Sequence, residues 1–185
     1  MGQKQAAYDA QGNIVAFYDT VDSPAPEGVS VIEISDAQWQ TCINEQGQWH
    51  VSNGALAQIP PPTSAQLLSS AQTARNAVLN AACSAAIMSG FSSNSLGQTY
   101  NYPSTLTDQT NQNTVAQCAS GGPLWCETAG SWSFKQHTQS QAQAVVASFS
   151  AWLNKCQQQL VDLMNQVNAA TSVSAVESIT WTNPS

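Results

Sequence analysis

Two histidines, five cysteines and eleven acidic residues are the groups in this chain able to do chemistry, and their spacing decides which chemistry is open. His50 lies between Trp49 and Val51, and His137 precedes Thr138; each stands alone, outside any metal-ligand pattern. On an alternating strand His50 points away from its two apolar neighbours, which predicts a lightly packed ring. Cys42, Cys83, Cys118, Cys126 and Cys156 contain no Cys-x-x-Cys pair, so they read as small apolar side chains rather than a disulfide framework or a zinc knuckle.

Asp19, Asp22 and Glu27 bracket a turn-forming segment and offer oxygens to a cation, but the regular Asp-x-Asp-x-Asp-Gly order of a calcium loop is missing. Their expected role is turn formation. The chain has no Gly-x-Ser-x-Gly elbow, phosphate-binding loop or dinucleotide fingerprint. The expectation is therefore a protein that is not an enzyme, with no catalytic residue, no cofactor and no metal.

With four basic residues against eleven acidic ones the net charge is −7, which leaves no basic surface to hold phosphates. Nucleic acid and anionic membranes are disfavoured as partners. Only 8% of residues are charged, so Gln, Asn, Ser and Thr must supply most of the polar surface. No apolar run approaches the roughly 20 residues of a membrane span; the Ala-rich stretch from Ala74 to Met88 is broken by Arg75, Asn76, Asn80 and Ser84. Met1 to Tyr8 has no apolar core of an export signal, so folding in the cytoplasm of the producing cell is expected.

The elements that position these residues fall into two modules on either side of Pro60, Pro61 and Pro62. Three prolines hold an extended spacer. The expected boundaries are 1–59 for a small α+β module, 60–64 for the linker and 65–185 for a helical and β-hairpin module. The first module reads as a hairpin turning at Gln11-Gly12-Asn13, a strand from Val29 to Ile34, a helix capped by Ser35, and a second hairpin turning at Asn53-Gly54.

In the second module Thr63 or Ser64 caps a helix running to about Ser89. Leu67, Ala71, Ala74, Val78, Ala81, Ala85 and Met88 follow the alternating four-three spacing of a helix-packing seam. The helix from about Ser140 to Ala170 repeats that spacing through Ala142, Val146, Phe149, Leu153, Cys156, Leu160, Leu163 and Val167. About thirty residues at 1.5 Å each make it roughly 45 Å long, long enough to pack on the first helix and still offer a flank to another subunit. Between the two helices lie β-prone segments from Phe91 to Tyr102 and from Leu124 to Phe134, and a polar helix opening at Thr107-Asp108-Gln109. Ser172 to Ile179 reads as a further short helix. The fold class is α+β: a small antiparallel β module, then two long packed helices with β-hairpins.

Six tryptophans remain. Most are expected to fill thin cores, while Trp49, Trp125 and Trp132, on hairpins, are candidates for stacking on sugar rings. The expected protein-contact residues are Trp49, Leu56 and Ile59 on the second hairpin, with Phe149, Trp152, Leu153 and Leu160 on the long helix.

The segments Ala7 to Asp19 and Val31 to Trp39 resemble the N-terminal region of phage tail fibre assembly proteins. Ala82-Cys83, Ser89-Gly90-Phe91-Ser92-Ser93, Leu96-Gly97, Tyr100-Asn101-Tyr102-Pro103, Pro123-Leu124-Trp125-Cys126, Trp132-Ser133-Phe134, His137-Thr138 and Val176 to Trp181 are similar to a domain of unknown function found in phage and prophage tail proteins. The resemblance implies a virion (tail) location and a structural part that attaches to or forms the tail or tail fibre. Its partners would be other tail or tail fibre proteins, and the chain a homo-oligomer or present in multiple copies in a symmetric assembly. Two other roles are weighed: a transient tail fibre assembly chaperone, and a glycan-binding or glycan-cleaving virion accessory protein.

Overall fold

The computed structural model describes residues 2–184, and the chain is an α+β protein. It divides into two compact units, the first ending at Pro62 and the second beginning at Thr63.

Unit 1 holds the antiparallel sheet β2-β1-β3, made of β1 (Lys4–Tyr8), β2 (Ile14–Asp19) and β3 (Val31–Ile34), with α1 (Asp36–Asn44) against β1. A separate hairpin pairs β4 (Trp49–Ser52) with β5 (Ala55–Gln58). The central strand buries Ala6 and Ala7 completely, small side chains that let α1 lie close. At the start of this strand Lys4 faces Asp19 in register and forms an ion pair with it at 2.7 Å. Gly12 has φ +84°, and its carbonyl accepts the Val51 N–H at 2.7 Å. A Cβ there would collide with the Val51 carbonyl, so glycine is what lets the first turn touch β4.

Unit 2 runs α2 (Ser64–Met88), β6 (Phe91–Ser93), β7 (Tyr100–Tyr102), α3 (Leu106–Gln117), β8 (Gly122–Thr128), β9 (Ser131–His137), α4 (Gln139–Ala169) and α5 (Val173–Ser178). The strands form one antiparallel sheet in the order β6-β7-β8-β9. Ser35, Thr63, Thr105 and Thr138 each cap a helix and donate their own backbone N–H to the side-chain oxygen three residues on. Each such cap stabilises its helix by about 0.5–2 kcal/mol. The polar helix is thus capped at Thr105, two residues before the expected opening, because the Thr105 hydroxyl and the Asp108 carboxylate complete the box.

The length of α4 has an internal explanation. Its first half, with Ala142, Val145, Val146 and Phe149, packs on Phe91, Tyr102, Leu124 and Cys126 of the sheet. Its second half, with Cys156, Leu160, Leu163 and Val167, packs on Leu79, Cys83 and Ala86 of α2 and on Val176 of α5. One helix serves two cores, and its other side, with Val161 half exposed, stays in solvent.

The stripe of α2 that meets α4 is not the expected one. Leu79, Cys83 and Ala86 face inward, while Leu67, Val78 and Met88 remain 50%, 55% and 47% exposed, with Ala74, Ala81 and Ala85 exposed between them. The seam is displaced by one residue, about 100° around the helix. Polar side chains on the inner stripe caused the displacement. Gln72 Nε2 donates to Val167 O at 3.1 Å and Ala170 O at 3.3 Å, and Arg75 Nη2 donates to Glu177 O at 2.8 Å. These satisfy the open carbonyls at the ends of α4 and α5, so polar residues on this stripe mark the packed side.

Candidate functional site

The contact residues expected on the second hairpin lie in unit 1. Trp49 is half-buried, and its indole N–H donates to Glu45 Oε2 at 2.8 Å at the end of α1. Leu56 joins Trp49 in a small cavity of about 180 Å³ against Ala37, Thr41 and Cys42, whereas Ile59 is exposed.

The contact residues expected on α4 face inward for the most part. Phe149 stacks tilted on Phe91 with ring centroids 5.4 Å apart. Trp152 lies between two cores and donates its indole N–H to Ala86 O at 3.2 Å. Leu160 packs against both neighbouring clusters, and Leu153 is half-buried. Phe149, Trp152 and Leu160 are therefore partly buried against the cores, because α4 places an apolar side chain at each of these turns to cover the sheet and α2.

His137 is fully buried and engaged on both ring nitrogens. Its Nδ1 lies 2.8 Å from Lys135 O, which can only accept, so Nδ1 carries the proton. Nε2 then accepts from the Tyr102 hydroxyl at 2.8 Å, and that hydroxyl meets Ser95 Oγ at 3.0 Å. Burial pushes the His137 pKa down and the Tyr102 pKa up, so both stay neutral. The pair ties β7 to β9 inside the unit. Thirty-five residues of separation hid it from a reading of the sequence.

Asp19 also has a structural partner set. The Asp19 carboxylate is held far below the usual range by Lys4 and by the N–H groups of Val21 and Asp22, which makes it the pin of its turn. His50 is half-buried, with its Nδ1 lacking a partner among the described residues. Cys118 is exposed, unlike the other four cysteines, and the Ser120 hydroxyl beside it lowers its thiol pKa. Among the described residues no three His, Cys, Asp or Glu side chains gather as a metal site, and no helix is long and apolar enough to cross a membrane.

Two apolar surfaces stand out in unit 2. One is the outward stripe of α2. The other is the outer face of the β8–β9 hairpin, where Trp125, Trp132 and Phe134 are 41%, 46% and 66% exposed. Alternation along β8 sends Leu124 and Cys126 inward and Trp125 outward, and Trp125 pairs directly with Phe134. The Trp125 and Phe134 rings lie 4.8 Å apart, and the Trp125 and Trp132 rings lie 6.3 Å apart with planes only 16° from parallel. Ala129 and Gly130, both at positive φ, make the tight turn that brings the strands together. Sequence reasoning found the two tryptophans but not Phe134, although its place two residues from Trp132 puts it on the same face.

A family model described as a domain of unknown function, DUF4376, matches residues 70–180, which is nearly all of unit 2. No curated protein and no solved structure matches the chain.

Proposed function

This chain belongs to the DUF4376 family, and we propose that it is a non-enzymatic protein of a bacteriophage tail, attached to or forming part of the tail or its fibre through the outward stripe of α2. The observation that carries the docking role is that stripe. Leu67, Val78 and Met88 stand in water along one side of a helix, with the exposed Ala74, Ala81 and Ala85 between them and Arg75 bordering Val78, where it is held by the Glu177 carbonyl. Twenty-one residues at 1.5 Å each give it a length of about 30 Å. Apolar surface of this extent on a helix is of the kind that partners cover by helix-in-groove packing.

The tail setting rests on the resemblance of Ala7 to Asp19, Val31 to Trp39 and the patches from Ala82 to Trp181 to phage tail proteins. A role without catalysis is supported by the buried Tyr102–His137 pair, which is closed off from solvent with both ring nitrogens engaged. The protein is made and folded in the host cytoplasm and joins other tail proteins in multiple copies. Mass spectrometry of purified mature particles, scaled to the major capsid protein, tests this. A fixed stoichiometry is the expected result; finding the chain only in infected-cell lysate would replace the structural role with that of a transient fibre assembly helper.

A further inference from the structure

The outer face of the β8–β9 hairpin continues into a cleft of about 440 Å³ between that hairpin and α3. We propose that this cleft binds an uncharged saccharide, a role independent of the α2 stripe. Trp125 and Phe134 form one wall, and Asp108, Asn111, Gln112 and Thr114 of α3 line the cleft opposite. The volume falls in the range of about 300–1,000 Å³ typical of small-ligand sites.

The chemistry of the lining selects the ligand. The face of an aromatic ring is electron-rich, and the C–H bonds on one side of a pyranose carry the complementary partial charge. A sugar ring also bears hydroxyls around its rim that need donors and acceptors. The α3 side supplies them. Asn111 is exposed, and its side-chain amide has no partner among the described residues. Gln112, only 4% exposed, is held by the bond from its Nε2 to Pro103 O at 2.8 Å, which leaves Oε1 to accept. Thr114 donates its hydroxyl proton to Thr110 O and keeps its oxygen lone pairs. Asp108 receives the Thr105 N–H and hydroxyl on Oδ2, which leaves Oδ1 open.

Charge narrows the class further. Among the described residues no lysine or arginine lines the cleft, and Asp108 is its one ionisable group. Phosphates and acidic sugars are repelled, and nothing neutralises them. Trp132, alongside Trp125, extends the aromatic surface beyond the cleft, so a second sugar unit of a chain has a place to stack.

The full-length protein, titrated with cello-, chito-, manno- and galacto-oligosaccharides while its tryptophan fluorescence is followed, tests the proposal. Sialyllactose and an apolar peptide serve as competing ligand classes. At least one neutral series is expected to bind, with Trp125→Ala weakening it by about tenfold or more and Asn111→Ala by a smaller factor. Circular dichroism checks the fold of both variants; Asn111, on the surface of α3, provides the reading if Trp125→Ala does not fold. No binding of any neutral series at millimolar concentration, preferential binding of sialyllactose or the peptide, or binding unchanged in the folded variants would overturn the proposal.

Discussion

The outward stripe of α2 and the outer face of the β8–β9 hairpin are both apolar and both exposed, yet they differ in what surrounds them. On α2, Leu67, Val78 and Met88 are separated by alanines, and Arg75 beside Val78 is already bound to the Glu177 carbonyl. Such a surface is satisfied by shape alone, and another protein's groove supplies it. On the hairpin, flat rings stand next to the amides, hydroxyl and carboxylate of α3. A surface of that kind discriminates by hydrogen bonds as well as area. Exposure is thus the common property, and the neighbouring polar groups decide which class of partner each face accepts.

The comparison is most exposed to failure on α2. Leu79→Ala, on the inner stripe, is expected to cost about 2–5 kcal/mol through lost burial and a residual cavity, while Val78→Ala should stay within about 0.5 kcal/mol. Denaturant unfolding of the two variants measures this. Equal losses would mean that the outer stripe belongs to the core and is not spare surface.

The hairpin face needs a rigid support, and the Tyr102 to His137 bond supplies part of it. Tyr102→Phe leaves His137 Nε2 buried without a donor, so a loss of about 1–3 kcal/mol is expected, read from the unfolding midpoint of unit 2. A variant as stable as the parent would show that this pair does not hold the sheet.

The smallest expected effect is a pH slope. Because burial lowers the folded pKa of His137, the native chain stays neutral there while the unfolded chain takes up a proton below about pH 6.5. Stability from this group is therefore complete above that value and declines as the pH falls toward the folded pKa. Unfolding curves across this range should show the decline in the parent and a flatter profile in His137→Gln; identical slopes would contradict a buried neutral ring. In unit 1 Asp19 acts the same way in a lower window, since its depressed pKa makes stability fall only below the ordinary Asp value of about 4.

Short-range features were readable from the residues. Ser35 announces its helix because a cap needs only its own hydroxyl and the next few N–H groups. Asn53-Gly54 announces its turn because few residues accept positive φ. Long-range features were not. The packed stripe of α2 was displaced because Gln72 and Arg75 look like solvent residues until the ends of α4 and α5 arrive beside them. Trp152 reads as surface on its helix, yet its indole finds Ala86 O sixty-six positions away. The aromatic wall of the cleft was half visible, in Trp125 but not in Phe134, and its polar side came from α3, whose relation to the hairpin no local pattern encodes.

The claim that two faces have two occupants is tested most directly by incorporation into particles. Val78→Glu combined with Met88→Glu, and separately Trp125→Ala, would be expressed in place of the parent chain and counted in purified virions by mass spectrometry. The account predicts loss of the α2 variant from the particles and parental levels of the Trp125 variant. Parental levels of the α2 variant, or loss of the Trp125 variant instead, would contradict it.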